Sequence, residues 1–208
     1  MSIRPTKPIT VPENHLRALI DAYQLEAPVI AIGIRGFTKS IAGAESGKNL
    51  IGVYDDAMCV CTAEKAVTFP GNTDPSKTTP GRAILEAPQL VWYVPGIHGK
   101  TKPAAERRLA FIQDSGVSIR RYDEKGELGP LLKKQWIGCN IHDGAWGTTG
   151  SAACQTVVPE RWREYIATVI RPLDITIEEW DQVEKHVKDG GNVPATWARK
   201  RFPYLITI

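Results

Sequence analysis

Four cysteines in 208 residues are too few to staple a fold, and no two of them stand in a C-x-x-C pair. A disulfide scaffold, a zinc knuckle and a thioredoxin-like redox site are therefore excluded. No apolar run approaches the ~20 residues needed to cross a bilayer as a helix, so no membrane span is expected. The opening MSIRPTKPIT lacks the apolar stretch of a secretory leader, and the expectation is a protein made in the cytoplasm. Charge of one sign is also scarce. The net charge is +3 and the charged residues are scattered, which leaves a dedicated nucleic-acid binder without its basic face. There is no internal repeat, no charged tail and no Gly/Ser linker, so residues 1–208 read as one domain. What the chain does have is 42% hydrophobic residues and six tryptophans, enough for a real core.

Apolar residues Leu16, Leu19, Ile20 and Tyr23 recur at helical spacing within 12–25, behind Pro12, and predict an amphipathic cover helix. The β-branched run 29–34 reads as a buried strand. Further strands are predicted at 50–54, 57–62 and 65–69, with Asp55-Asp56 as a tight hairpin turn between the first two. Residues 71–82, GNTDPSKTTPGR, have the composition of a loop. Strands are predicted again at 89–94, 117–122, 135–142 and 204–208. The segment 103–114, PAAERRLAFIQD, has helical composition; from Pro159 onward Trp162, Ile166, Val169 and Ile170 share one helical face, and a further helix at 178–188 completes a C-terminal cover over 159–188. Strands outnumber helices and come in hairpin-like runs, so the predicted class is mainly β with flanking helices, an α+β sandwich or mixed sheet.

The chemistry concentrates in 136–162, WIGCNIHDGAWGTTGSAACQTVVPERW. Strand alternation places Asn140 and His142 on one face and Cys139 and Ile141 on the other. Residues 143–150 hold three glycines, Gly144 among them, and two threonines, suiting a loop that turns the chain back towards His142. Ser151-Ala152-Ala153 then puts three small side chains before Cys154, where a substrate can approach a thiol and backbone N–H groups can meet an oxyanion. A thiol beside an imidazole has the parts for nucleophilic catalysis. By composition alone, a buried, packed cysteine is the commoner outcome.

The pattern His142…Ser151-x-x-Cys154 resembles the His…Ser/Thr-x-Gly-Cys signature of the L,D-transpeptidase catalytic-domain family, whose members use a cysteine on peptidoglycan stem peptides. NTDPS (72–76), VWYVPGIHGK (91–100), RRYDEKGELG (120–129) and CQTVVPERW (154–162) are similar, in order, to segments of its phage-borne and secretion-associated branch. The resemblance spans roughly residues 29–170. It implies Cys154 as nucleophile, His142 as base, Ser151 in the catalytic motif and the Ala153 and Cys154 amides as oxyanion hole. It further implies contacts to substrate from His98, Arg120, Asn140, Gly144 and Gln155, peptidoglycan as partner, and neither metal nor other cofactor. Lysis by a phage, or delivery by a secretion system, is the setting it implies. Two positions depart from the signature. Ala153 stands where the family usually has glycine, and Thr156 where an arginine often follows the cysteine, although Cys-Gln-Thr matches the phage-like branch. The expected activity is cleavage of a stem peptide or cross-link, with peptide exchange as its alternative, and the two departures would equally suit a non-catalytic wall-binding module of the same fold.

The remaining candidates have plainer readings beside the functional one. His98, in a glycine-flanked segment, is either a substrate-contacting imidazole or an exposed loop histidine. Arg120 could hold a substrate carboxylate or belong to a solvated ion-pair edge. Asn72, Thr73 and Asp74 read as an Asx turn more readily than as a cleft wall. Cys59 and Cys61 read as packing, and His15 and His186 as surface residues.

Overall fold

The computed structural model describes residues 3–7, 9–39, 41 and 49–208. Its first strand, β1 (Val29–Ile34), is buried along its whole length because it is covered on both sides. Val29 and Ala31 face one core, with Met58, Val60, Phe69, Val91, Tyr204 and Ile206. Ile30, Ile32 and Ile34 face a second, beneath Leu16 of helix α1 (Glu13–Ala22). A strand with two apolar faces reads as a continuous hydrophobic run, as VIAIGI does.

Eight strands close into a barrel. Around the wall they run β1, β11 (Phe202–Thr207), β5 (Gln89–His98), β6 (Arg108–Gln113), β9 (Ile141–Asp143), β10 (Gln155–Val157), β3 (Ala66–Asn72) and β2 (Asp56–Thr62). The pairs β1–β11 and β9–β10 are parallel and the others antiparallel. A separate sheet of β4 (Ala83–Leu85), β7 (Val117–Arg121) and β8 (Leu132–Gln135) lies beside it. Helices α2 (Pro159–Ile170) and α3 (Ile177–Lys188) follow, where C-terminal covers were expected. Phe111 centres the aromatic core, its ring 5–6 Å from those of Trp162, Tyr165, Trp180 and Phe202. The mainly β, α+β class is as expected, with the sheet closed on itself.

Three local expectations fail for identifiable reasons. Within 103–114, expected as helix, only Ala104–Glu106 makes a single 3-10 turn, and Arg108–Gln113 is strand β6. Its register with β5 buries Leu109 and Phe111 in the barrel core, and that packing overrides helical propensity. Residues 50–54 turn at Gly52 (φ +73°), where a side chain would meet the Ser76 carbonyl, and form no strand. Asp55 and Asp56 make no exposed hairpin turn but are fully buried, and Asp56 begins β2.

The fourth difference shapes the site. The strand expected at 135–142 breaks, leaving 136–140 irregular between β8 and β9. The Oε1 atom of Gln113 accepts the backbone N–H groups of Ile137, Gly138 and Cys139 at 3.0–3.3 Å, taking the place of a ladder partner.

Candidate functional site

Cys139 and Ile141 point into the barrel core, as do Leu109, Phe111 and Val157. Their sequence neighbours Asn140, His142, Arg108 and Thr156 therefore belong to the outer face of the same wall. Cys154 lies one residue before β10 and level with Asn140, whose carbonyl accepts the Gln155 N–H at 2.9 Å. Sequence alternation thus divides Cys139 from Asn140 and His142 as expected, although the segment is not one strand.

His98 ends β5 and pairs across the ladder with Arg108, the first residue of β6. The rings of His98 and His142 lie 4.5 Å apart, tilted by 41°. A nitrogen of each ring and the Cys154 Sγ fall within 4.8 Å of one another. His142 is 1% exposed and Cys154 7%. The His142 Nδ1 has an acceptor, the Asp143 carbonyl oxygen, at 2.5 Å and a donor, the Arg108 Nη2, at 3.2 Å. The much shorter contact to the carbonyl assigns the proton to Nδ1, leaves the Arg108 contact without a hydrogen bond, and leaves the Nε2 lone pair uncommitted. The Arg108 Nη1 lies 2.8 Å from Asp143 Oδ1 as an ion contact without hydrogen-bond alignment. The Cys154 thiol is aimed at the Gly138 carbonyl at 3.5 Å.

Burial sets the protonation of this group. It pushes the His142 imidazolium down to about 3, helped by the Arg108 guanidinium and by His98, against the Asp143 carbonyl. His98 falls to about 4, again by burial first and then by Arg108 and Lys102. Burial raises the Cys154 thiol, opposed by backbone amides at Asn140 and Ala153 and by Arg108. At neutral pH the resting site therefore holds a protonated thiol beside two neutral imidazoles. Such a pair is suited to general-base transfer during attack by the sulfur and not to a preformed ion pair.

Two histidines and a thiol could by composition hold a soft metal ion. The surrounding donors do not fit one. A metal-bound imidazole normally donates its other N–H to an acceptor, yet the His98 Nδ1 faces the Asn140 amide NH2 at 3.0 Å. A dication would also sit beside the Arg108 guanidinium.

The other expected residues fall into different places. The Ser151 hydroxyl donates to the Cys154 carbonyl at 2.7 Å, and its N–H to Ser76 Oγ, so it shapes the loop without reaching the sulfur. Ala153 is not among the residues with positive φ, and the glycine usual in the family is not demanded by this backbone. Among the described residues the Cys154 N–H donates no hydrogen bond, as an oxyanion donor requires. Gln155 is fully buried and bound to the Tyr204 hydroxyl and the Ala153 carbonyl, facing the barrel interior. Gly144 packs on the Tyr54 ring, which a Cβ there would strike. Arg120 lies in the small sheet, paired with Glu86 at 2.9 Å and with the Gly129 carbonyl. Thr156, where an arginine is common in the family, is fully buried.

Asn72, Thr73 and Asp74 are buried in a separate polar cluster with Asp56 and Arg35. Cys59 and Cys61 pack beneath α1, while His15 and His186 are exposed. Arg108, Asp143, Gln113 and Gly138 were not among the expected residues. Reading 103–114 as helix hid the first and third of these. A strand there would have set Arg108 opposite His98.

Comparison with protein-family models, with curated proteins and with solved structures gives no match for this chain.

Proposed function

We propose that this chain is a cysteine enzyme of the L,D-transpeptidase fold that cuts bacterial peptidoglycan stem peptides or cross-links. One observation carries the reading: the Cys154 thiol sits within 4.8 Å of two neutral imidazoles, and one of these has its Nδ1–H tied to a backbone carbonyl. That tie orients a free Nε2 as a base.

As the sulfur approaches an amide carbonyl, His142 Nε2 takes the Sγ proton, the C–S bond forms and the carbonyl electron pair moves onto oxygen. The Cys154 N–H meets that oxyanion. The pair returns, the C–N bond breaks, and the leaving amine takes the proton from His142. Water then attacks the thioester while His142 takes its proton, the C–S bond breaks, and the proton passes from His142 to the departing Cys154 sulfur. Release by an amine would make the same site a transpeptidase.

The two departures from the signature do not weigh against activity. The backbone at Ala153 tolerates a side chain, and Arg108 brings a guanidinium to the site from a different strand. Incubation with purified muropeptides, read by mass spectrometry, tests the reading. A mass gain of one water across a cleaved peptide bond is expected. Muropeptides unchanged at every mass would refute it.

A further inference from the structure

The two histidines are held in opposite ways, and the difference assigns a role to His98. Asn140 is fixed in orientation because its Oδ1 accepts the Gln113 backbone N–H at 3.1 Å. Its Nδ2 must then be the atom 3.0 Å from the His98 Nδ1. An amide NH2 can only donate, so the His98 Nδ1 must accept, and the ring carries its one proton on Nε2. His142 has the reverse arrangement, with Nδ1–H on the Asp143 carbonyl and Nε2 bare.

Both Nδ1 atoms are committed, so the two Nε2 atoms are the ring nitrogens left available to the thiol and a substrate. One is a lone pair and the other is an N–H. We propose that His98 is a catalytic residue donating Nε2–H to the oxyanion that forms when Cys154 attacks, and that Asn140 is the positioning residue holding it in that tautomer. The inference rests on the proposed function, which already uses His142 as base and the Cys154 N–H as a donor, and it adds a second donor.

No proton leaves His98 in this step. The Sγ proton goes to His142, the electron pair goes to oxygen, and His98 contributes a hydrogen bond that strengthens as charge develops. A neutral imidazole suits the task, since its N–H is a donor that does not compete with His142 for the thiol proton. Burial and the charged groups facing His98, Arg108 across the ladder and Lys102 on the following turn, keep it neutral, while the tilted His142 ring and the Cys154 thiol beside it are themselves uncharged. A protonated His98 would also turn Nδ1–H onto the Asn140 NH2.

The test combines spectroscopy with kinetics on the full-length protein. Ring 15N chemical shifts at neutral pH should show Nε2–H on His98 and Nδ1–H on His142. His98→Ala should lower kcat on muropeptides by about 10²–10³ with KM little changed, the loss typical of one oxyanion donor. His98→Gln, which keeps an N–H donor, should regain part of that loss. Asn140→Asp is close to isosteric and offers an acceptor to Nδ1, so it should invert the His98 tautomer and lower kcat. It should also raise the His98 pKa, so that kcat recovers on acidification as Nε2 regains its proton. Wild-type turnover combined with Nδ1–H on His98, or with an unchanged kcat in His98→Ala, overturns this inference alone. Absence of peptide release by the wild type overturns the proposed function and this inference with it.

Discussion

Two buried polar groups among the described residues differ in what their hydrogen-bonding atoms are doing. Around Asp55, Asp56 and Asp74 the carboxylates are tied to the chain. Asp55 Oδ2 accepts the Leu50 N–H at 2.8 Å, and Asp56 takes the N–H groups of Gly36 and Thr73 together with the Thr73 hydroxyl. Asp74 accepts from the Asn49 amide at 2.5 Å and lies 3.3 Å from the Arg35 Nε. Burial raises all three carboxyls, Asp55 to about 6. The group around Cys154 is also dry and its pKa values are also displaced, but the Nε2 atoms of its imidazoles and the Cys154 N–H remain uncommitted, and its thiol is held only by a long contact of 3.5 Å to the Gly138 carbonyl. A displaced pKa marks burial in both places. Both groups leave capacity unused, since one oxygen each of Asp55 and Asp74 also lacks a hydrogen-bond partner. What separates the proposed site from a structural clasp is the kind of group left over, a thiol, a ring lone pair and N–H donors in one and carboxyl oxygens alone in the other.

That comparison breaks if variants in the two places have the same effect. His142→Ala should slow peptide release by ~10²–10⁴ while KM and the urea unfolding midpoint stay close to wild type, because the ring moves a proton and carries little of the fold. Asp56→Ala should do the reverse. It strands the Gly36 and Thr73 N–H groups in the interior and should lower unfolding stability by on the order of 3 kcal/mol, with turnover per folded molecule retained.

The pH dependence of stability sharpens the contrast further. His142 is a base whose folded pKa lies below its unfolded value of 6.5, so the unfolded chain binds more protons and stability falls as pH drops from 6.5 towards about 3. Asp55 runs the other way. Its folded pKa lies above 3.8, so its contribution is present at low pH and is lost as pH rises from 3.8 through about 6. Asp55→Asn keeps an oxygen for the Leu50 N–H and removes that titration. Relative to wild type it should gain on the order of 1 kcal/mol between pH 4 and pH 7 in urea melts. A difference between the two proteins that stays constant with pH would mean that Asp55 is not displaced.

Cys139 tests the smallest effect. It lies on the core side of the site segment, where burial pushes its thiol up to about 12 and its Sγ donates to Gln113 Oε1 at 3.2 Å. Cys139→Ala should cost on the order of 1–2 kcal/mol in a thermal or urea melt and leave kcat per folded molecule unchanged.

The parts of the site legible in the sequence were those governed by local rules. Period-two alternation sorted Cys139 from Asn140 and His142, and the small residues before Cys154 marked a loop with a free amide. The covers over 12–25 and 159–188 followed from helical periodicity. What stayed hidden depends on pairing between distant strands. Arg108 reaches His142 only because β6 is a strand, and the propensity of 103–114 points to helix. The break at 136–140 depends on a single side chain, Gln113, more than twenty residues upstream. Asp55-Asp56 looked like a turn because adjacent aspartates usually seek water, and only Gly36, Leu50 and Thr73 brought together by the barrel make their burial tolerable.

The central claim is that Cys154 carries the chemistry, and the direct measurement is release of peptide fragments from peptidoglycan by the Cys154→Ala protein, with its melting transition recorded in the same preparation. Removing the sulfur takes away the nucleophile and leaves only a small gap beside Gly138, so a folded protein with release no faster than buffer is expected. Fragment release at the wild-type rate by a protein with a normal melt would contradict the account.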